Sequence, residues 1–247
     1  MTIAIIQARL GSARLPGKVL ADLVGRPLLA HVIERAQAIR GVDEVVLSVP
    51  HEPDWIRRGV LWTEQAIGDV LTIVCASDPA DVLRRFYGVV SMPGAMDDTI
   101  VRITGDCPLL APDVAETALA AFHAQGVDYL GTTRPELAVP DGMDVEIFTR
   151  AALETAHQEA TDPEDREHVT RFLWRQPERF KLGRMAAVCE SRCWRGDCPY
   201  GPCWALGLKL SVDEMVDLER CRAVMARLVP WDFSMEATLK VAKEAGL

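Results

Sequence analysis

No apolar run in this chain approaches the roughly 20 residues that a bilayer-spanning helix requires, so no membrane partner is expected. Basic residues are in the minority. Lys and Arg number 27 against 36 Asp and Glu, a formal net charge of −9. That balance excludes a general nucleic-acid binder, which needs a cationic face. Any phosphate site must then be a local basic loop on an acidic body. Met1 leads straight into a strand pattern, without the charged leader and apolar core of a secretory signal. The seven cysteines are an odd number, which together with the missing export signal predicts a reducing compartment. The expectation is a soluble, cytoplasmic protein. Internal repeats, linkers and low-complexity tracts are also lacking, so one domain over residues 1–247 is expected.

The most informative stretch runs from Gln7 to Lys18, Gln-Ala-Arg-Leu-Gly-Ser-Ala-Arg-Leu-Pro-Gly-Lys. It follows the apolar run Ile3-Ala4-Ile5-Ile6 and carries three cations, Arg9, Arg14 and Lys18. A buried strand opening into a glycine-rich cationic loop is how an α/β protein brings a polyphosphate to the carboxyl edge of its sheet. Glycines let backbone N–H groups approach the oxyanions, while the cations hold the charge. Gly11 and Gly17 do not stand in the Gly-x-x-x-x-Gly-Lys-Ser/Thr spacing, because Lys18 is followed by Val19. Nor do they form Gly-x-Gly-x-x-Gly. The loop is neither a Walker loop nor a dinucleotide fingerprint.

Short β-rich runs alternate with helical patterns along the first half. Strands are predicted over 3–7, 45–49, 71–75, 99–103 and 128–130, with helices over 27–36, 82–87 and 112–125. Strands joined by helices imply right-handed crossovers and a mostly parallel sheet with helices on both faces. In the second half a strand is predicted over 143–148, with Asp144 and Glu146 on one face. Helices are predicted over 150–160, 166–174 and 214–228, and a late strand over 208–212. The fold class is α/β, with a small embedded lobe.

Asp106 lies where the fourth strand ends, at the ligand-binding edge and next to the loop after strand one. A carboxylate there is placed to hold Mg²⁺, which takes one or two carboxylates and completes its shell with phosphate oxygens and water. Its plainer role is that of a turn residue between Gly105 and Pro108. Asp213 repeats the pattern of apolar strand, Ser-Val-Asp and helix, and taken alone reads as a helix N-cap.

The segment 6–18 resembles the nucleotide loop of the cytidylyltransferases that activate acidic sugars, which make CMP-3-deoxy-manno-octulosonate and CMP-sialic acids. The subgroup acting in spore-coat polysaccharide biosynthesis is the most similar. Further similar blocks are 101–109 (Val-Arg-Ile-Thr-Gly-Asp-Cys-Pro-Leu), 140–146 (Pro-Asp-Gly-Met-Asp-Val-Glu), 165–170 (Asp-Arg-Glu-His-Val-Thr) and 210–213 (Leu-Ser-Val-Asp). The resemblance implies a Rossmann-like nucleotidyltransferase fold, commonly dimeric. It implies attack of an acceptor hydroxyl on the α-phosphorus of CTP, with pyrophosphate leaving. Arg9, Gly11, Ser12, Arg14 and Lys18 would bind the triphosphate, and Gln7, Ala8 and Gly105 would meet the nucleotide. Asp106 and Asp213 would hold Mg²⁺ and, with Lys18 and Arg14, form the catalytic set.

The acceptor side is more open. Arg102 alternates with apolar neighbours in its strand and faces either an acceptor pocket or an internal carboxylate. Asp141, Asp144 and Glu146 would orient an acceptor hydroxyl or back the metal; they also fit a turn and the polar face of a strand. Arg166 and His168 would bind an acceptor carboxylate, or else form a solvated first helical turn. His31, His51, His123 and His157 have no ligand spacing. A Cys-rich insertion at about 187–206 departs from the family. Cys189, Cys193, Cys198 and Cys203 fall within fifteen residues, a set that would suit Zn²⁺ or an iron–sulfur cluster or pack as small thiols on tryptophan. Cys75, Cys107 and Cys221 read as isolated residues. Competing functions are a nucleotidyltransferase of the same fold using a phosphonate, a non-acidic sugar or another NTP, and a nucleotide-binding module without transfer.

Overall fold

The computed structural model describes residues 1–51, 71–75, 78–92, 98–133, 139–185, 205 and 207–247. The cysteines at 189, 193, 198 and 203, and with them the Zn²⁺ or iron–sulfur expectation, lie outside the described residues. Seven strands form the main sheet: β1 (Thr2–Gln7), β2 (Glu44–Pro50), β3 (Leu71–Cys75), β4 (Thr99–Thr104), β5 (Tyr129–Gly131), β6 (Glu146–Thr149) and β7 (Leu182–Arg184). Their spatial order is β3-β2-β1-β4-β6-β5-β7. All run parallel except β6, which is antiparallel to both its neighbours β4 and β5. The predicted mostly parallel α/β sheet is therefore observed. Ile3, Ala4, Ile5 and Ile6 of β1 are all buried, as a central parallel strand covered on both faces requires.

Helices cover both faces. Residues of α1 (Leu28–Gln37), α3 (Pro112–Gln125), α7 (Met215–Met225) and α8 (Met235–Glu244) pack with Ala4, Ile6, Val101 and Ile147 in one core. Residues of α2 (Val82–Val90), α4 (Arg150–Glu159) and α6 (Arg171–Trp174) pack with Ile3, Ile5, Ile100 and Phe148 in the other. The period-two alternation along β1 and β4 assigns successive residues to opposite cores. No helix among the described residues is long and apolar enough to cross a membrane.

Three elements differ from expectation, each for a local reason. The helix expected over 166–174 is two short helices, α5 (Pro163–Glu167) and α6, because Val169 between them has φ 51°. A β-branched residue in the left-handed region costs about 1–2 kcal/mol and cannot continue a helix. The late strand over 208–212 joins no ladder. Leu210 N–H donates to Asp141 O (2.7 Å) and Val212 N–H to Asp106 O (2.9 Å), so the segment is fastened at single points to two different loops. The strand expected from Met143 begins only at Glu146, because Asp141 to Asp144 form a turn around Gly142. Gly142 has φ 95°, and a Cβ there would lie 2.4 Å from the backbone of Leu210 and Ser211. Only glycine allows this turn and the 208–212 segment to meet. Strand β7 and helix α8 have no counterpart among the predicted elements.

His31 fastens α1 to the small hairpin (Asp22–Leu23 with Arg26–Pro27) that follows the cationic loop, its Nε2 lying 2.7 Å from Leu23 O. Burial pulls the imidazole below its ordinary value of 6.5, and the Leu23 carbonyl only partly restores it. The folded protein thus resists protonation more than the unfolded chain, so this stability is present above the unfolded value and drains as pH falls. As pH falls from about 7 to about 5, the wild type should lose more stability than His31→Gln does. Urea unfolding across that range checks it; parallel pH profiles for the two proteins would contradict it.

Candidate active site at the carboxyl edge of the sheet

The ends of β1 and β4 and the loops after them open onto a cavity of about 370 Å³. Gln7, Ala8, Arg9, Ser12, Arg14 and Lys18 line it from the first loop, and Gly105 and Asp106 from the loop after β4. Arg102, His168 and Asp213 complete the predicted residues on its wall. The two loops meet closely: Gly105 N–H donates to Gln7 O at 2.8 Å, and a Cβ on Gly105 would sit 2.9 Å from that oxygen and from Ala8 Cβ. Any larger residue at 105 would push the cationic loop out of register.

Lys18 organises the centre. Its ammonium is 2.7 Å from Asp106 Oδ2, 3.1 Å from Asp213 Oδ1 and 2.6 Å from Val212 O. The residue is 9% exposed, and its three N–H donors meet three oxygens. Arg14 also reaches Asp213 (2.8 Å), as does Lys209 (3.0 Å, on Oδ2). Burial alone would raise the Asp213 carboxyl, but hydrogen bonds from Lys209 and Lys18 outweigh it and hold it below the ordinary carboxylate value. Asp213 is not the helix cap. Glu214 and Asp217 form the capping box of α7, and Asp217 accepts the N–H groups of both Asp213 and Glu214 at 3.0 Å. The Asp213 side chain is thereby left to the cavity.

A second polar cluster underlies the cavity on the α2 face of the sheet. Glu146, 7% exposed, receives the Arg102 guanidinium on Oε2, and the hydroxyls of Tyr129 (2.7 Å) and Thr170 (2.5 Å) on Oε1. Arg102 Nε donates to Gln7 Oε1 at 2.9 Å. A guanidinium can only donate, so this bond assigns the carboxamide oxygen and turns the Gln7 –NH₂ away from Arg102. Arg102 thus serves both an internal carboxylate and the cavity wall. The left-handed backbone at Val169 sets His168 on the cavity and Thr170 beneath Glu146.

Several expected residues sit elsewhere. Arg166 makes a two-pronged pair with Asp81 (2.9 and 3.0 Å) and donates to the carbonyl oxygens of His157 and Ala160. It thereby joins α5 to the N-terminus of α2 and does not line the cavity. Asp141 accepts from Ser211 Oγ at 3.0 Å and Asp144 from Gly142 N–H at 3.1 Å; burial raises both carboxyls above their ordinary value. Together with Glu146 they serve the architecture behind the cavity. Gly11 is not among the lining residues either. Conversely, Arg85, Thr104 and Glu167 line the cavity without having been expected. Glu167 pairs with Arg9 at 3.1 Å across the rim. Arg85 is 1% exposed and donates to Pro79 O at 2.8 Å. Its signal was present: position 85 falls on the buried stripe 82, 85, 86 and 89 of its helix, where an arginine is out of place unless it serves a site.

Among the described residues, no three or more His, Cys, Asp or Glu side chains are grouped to hold a metal ion. At the cavity, Asp106 and Asp213 converge on one cation, Lys18. Two carboxylates with a neighbouring carbonyl suit a hard divalent cation whose remaining ligands are phosphate oxygens and water.

Comparison with known proteins bears on the family and the fold. A family model described as Cytidylyltransferase matches residues 3–195. An uncharacterized protein of Methanocaldococcus jannaschii is 32% identical over 180 residues, 73% of this chain and 70% of that relative. A 3-deoxy-manno-octulosonate cytidylyltransferase of Anaeromyxobacter dehalogenans is 38% identical over 151 residues, 60% of this chain; the chain spans 58% of the length of that enzyme. Among solved structures, a cytidylyltransferase from Leptospira borgpetersenii has a TM-score of 0.81 at 24% identity, over 99% of this chain and 94% of that one. A CMP:2-keto-3-deoxy-manno-octonic acid synthetase complexed with CTP has a TM-score of 0.61 at 21% identity, over 92% of this chain and 99% of that one. These last two likenesses are likenesses of fold.

The buried Arg102–Glu146 pair yields a stability prediction. Glu146→Ala leaves the Arg102 guanidinium and the buried Tyr129 and Thr170 hydroxyls without their acceptor and should cost roughly 3–5 kcal/mol in urea unfolding. The double replacement Arg102→Met with Glu146→Leu should recover only the part due to the guanidinium, because the two hydroxyls stay unpaired. A single variant no weaker than an ordinary surface substitution would contradict the assignment.

Proposed function

This chain belongs to the cytidylyltransferase family, and on that premise we propose that it transfers CMP from CTP to an acidic sugar or related keto acid, releasing pyrophosphate. The observation that carries this reading is the convergence of Asp106 and Asp213 on the cation at the mouth of the Gln7–Lys18 loop. Phosphoryl-type transfers depend on positioning and charge neutralisation more than on covalent help from the protein. The parts needed are the ones grouped here.

In this reading Arg9, Arg14, Lys18, Ser12 and the backbone of the first loop bind the triphosphate. Arg14 and Lys18 would stabilise the departing pyrophosphate. Asp106 and Asp213 would hold Mg²⁺. Such an ion, when bound, withdraws charge from the α-phosphate and favours attack at phosphorus. Gln7 and Ala8, at the end of β1, would meet the nucleoside.

The cavity wall also carries the donors Arg85, Arg102 and His168, which in this reading face the acceptor, while Gln7 presents its –NH₂ because Arg102 Nε holds its oxygen. The carboxylate on this wall, Glu167, is engaged by Arg9. Such a wall favours an anionic acceptor, with a carboxylate oriented by the guanidinium of Arg102. That preference supports a sugar acid over a neutral sugar.

Two measurements test the proposal. Pyrophosphate release, followed with each of the four NTPs and with 3-deoxy-manno-octulosonate and other keto-sugar acids, should be selective for CTP and require Mg²⁺. Asp106→Asn, nearly constant in volume, should keep the fold and lose about 10²–10³-fold in turnover. Nucleotide binding without turnover on any acceptor, or near-normal rates in a folded Asp106→Asn protein, would overturn the reading.

A further inference from the structure

The contacts of Lys18 exceed what a phosphate-binding lysine requires. Its ammonium fills a cage of three oxygens, Asp106 Oδ2, Asp213 Oδ1 and Val212 O, at 2.6 to 3.1 Å. These are hard ligands at the place where the proposed divalent cation must sit. Asp213 is further neutralised by Arg14 and Lys209, and Lys209 continues to Asp217 at 2.5 Å. The carboxylates are thus already paired within the protein, and a divalent ion approaching them meets a positive charge already in place. A triphosphate changes that balance, because its oxygens offer Lys18 and Arg14 an alternative partner on the same loop.

Resting on the nucleotide reading given above, we propose that Lys18 is an internal counter-ion that excludes the metal until nucleotide draws it away. Metal and lysine compete for the same three oxygens, so Mg²⁺ enters only together with the triphosphate. Lys18 therefore sets the order of loading as well as binding phosphate. The fold supports this role. Val212 N–H donates to Asp106 O (2.9 Å) and Leu210 N–H to Asp141 O (2.7 Å), so two backbone bonds still tie the late segment to its neighbours when the ammonium turns to phosphate. The long, flexible lysine stem lets the charge move by a rotamer change without moving the loop.

The test is a metal-binding isotherm without turnover. Mg²⁺ alone should bind Lys18→Met at least about tenfold more tightly than wild type. It should raise the melting temperature of that variant and leave the wild type unmoved, whereas Mg²⁺ with CTP should raise the wild type. Adding Asp106→Asn to Lys18→Met should remove the gain and so localise it to the cage. Lys18→Gln, which keeps a polar donor, serves the same purpose should Lys18→Met fail to fold. Wild-type protein that binds Mg²⁺ as tightly without CTP as with it overturns the proposal whatever the variants do, as does a folded Lys18→Met that gains no affinity. Because pyrophosphate is not measured, an inactive wild type would count against the proposed function and leave these isotherms to judge Lys18 separately.

Discussion

One buried ammonium holds the active edge of this protein together. Lys18 reaches 88 residues along the chain to Asp106 and 195 residues to Asp213, closing three segments over one point. A buried cation is costly to leave unpaired, and so are the two carboxylates facing it. Each therefore restricts where the others can lie. The segment 208–212 has no ladder of its own; it is placed by Lys18, by Val212 N–H on Asp106 O and by Leu210 N–H on Asp141 O. The cationic loop, the loop after β4 and the late segment are in consequence one unit.

A second constraint works from beneath. Glu146, Arg102, Tyr129, Thr170 and Gln7 form a connected polar chain under the cavity, drawn from β6, β4, β5, the turn after Val169 and β1. Buried ion pairs are weak contributors to stability, and apolar replacements often do as well. Their value here is orientation: the network fixes which end of the Gln7 carboxamide faces the ligand and holds Arg102 at the wall. Strain at Val169 belongs to the same arrangement, since it places His168 and Thr170 on opposite errands.

Much of the fold was legible because it depends on local physics. The apolar run 3–6, the Pro112 start and Gly126 end of α3, and the alternation of strand and helix patterns all speak within a dozen residues. The errors share a cause as well. The pattern over 166–174 is helical by composition, and nothing in the sequence announces the left-handed backbone at Val169. The 208–212 run reads as a strand, but its partners are two loops far away in sequence. Arg166 and Arg102 show the same limit for the site. Both are arginines among plausible motif residues, yet one is consumed by Asp81 and the other stands at the cavity. Arg85 is the contrary case, because its place on the buried stripe of its helix with Val82, Phe86 and Val89 is visible in the sequence.

The sequence by itself determined the parallel centre of the sheet and the chemistry of its edge, but not the antiparallel β6 or the outer strand β7. A buried strand feeding a loop with Arg9, Arg14 and Lys18 leaves little else to build, and an aspartate at the next strand end faces the same edge. Tertiary structure alone decided which charges meet. Asp213 could have been a helix cap until Glu214 and Asp217 took that role, and Glu146 could have met a substrate until three donors closed around it. The physical reason is range: propensity and periodicity act over one or two turns of chain, whereas an ion pair is settled by desolvation and distance among groups that only the finished fold brings together.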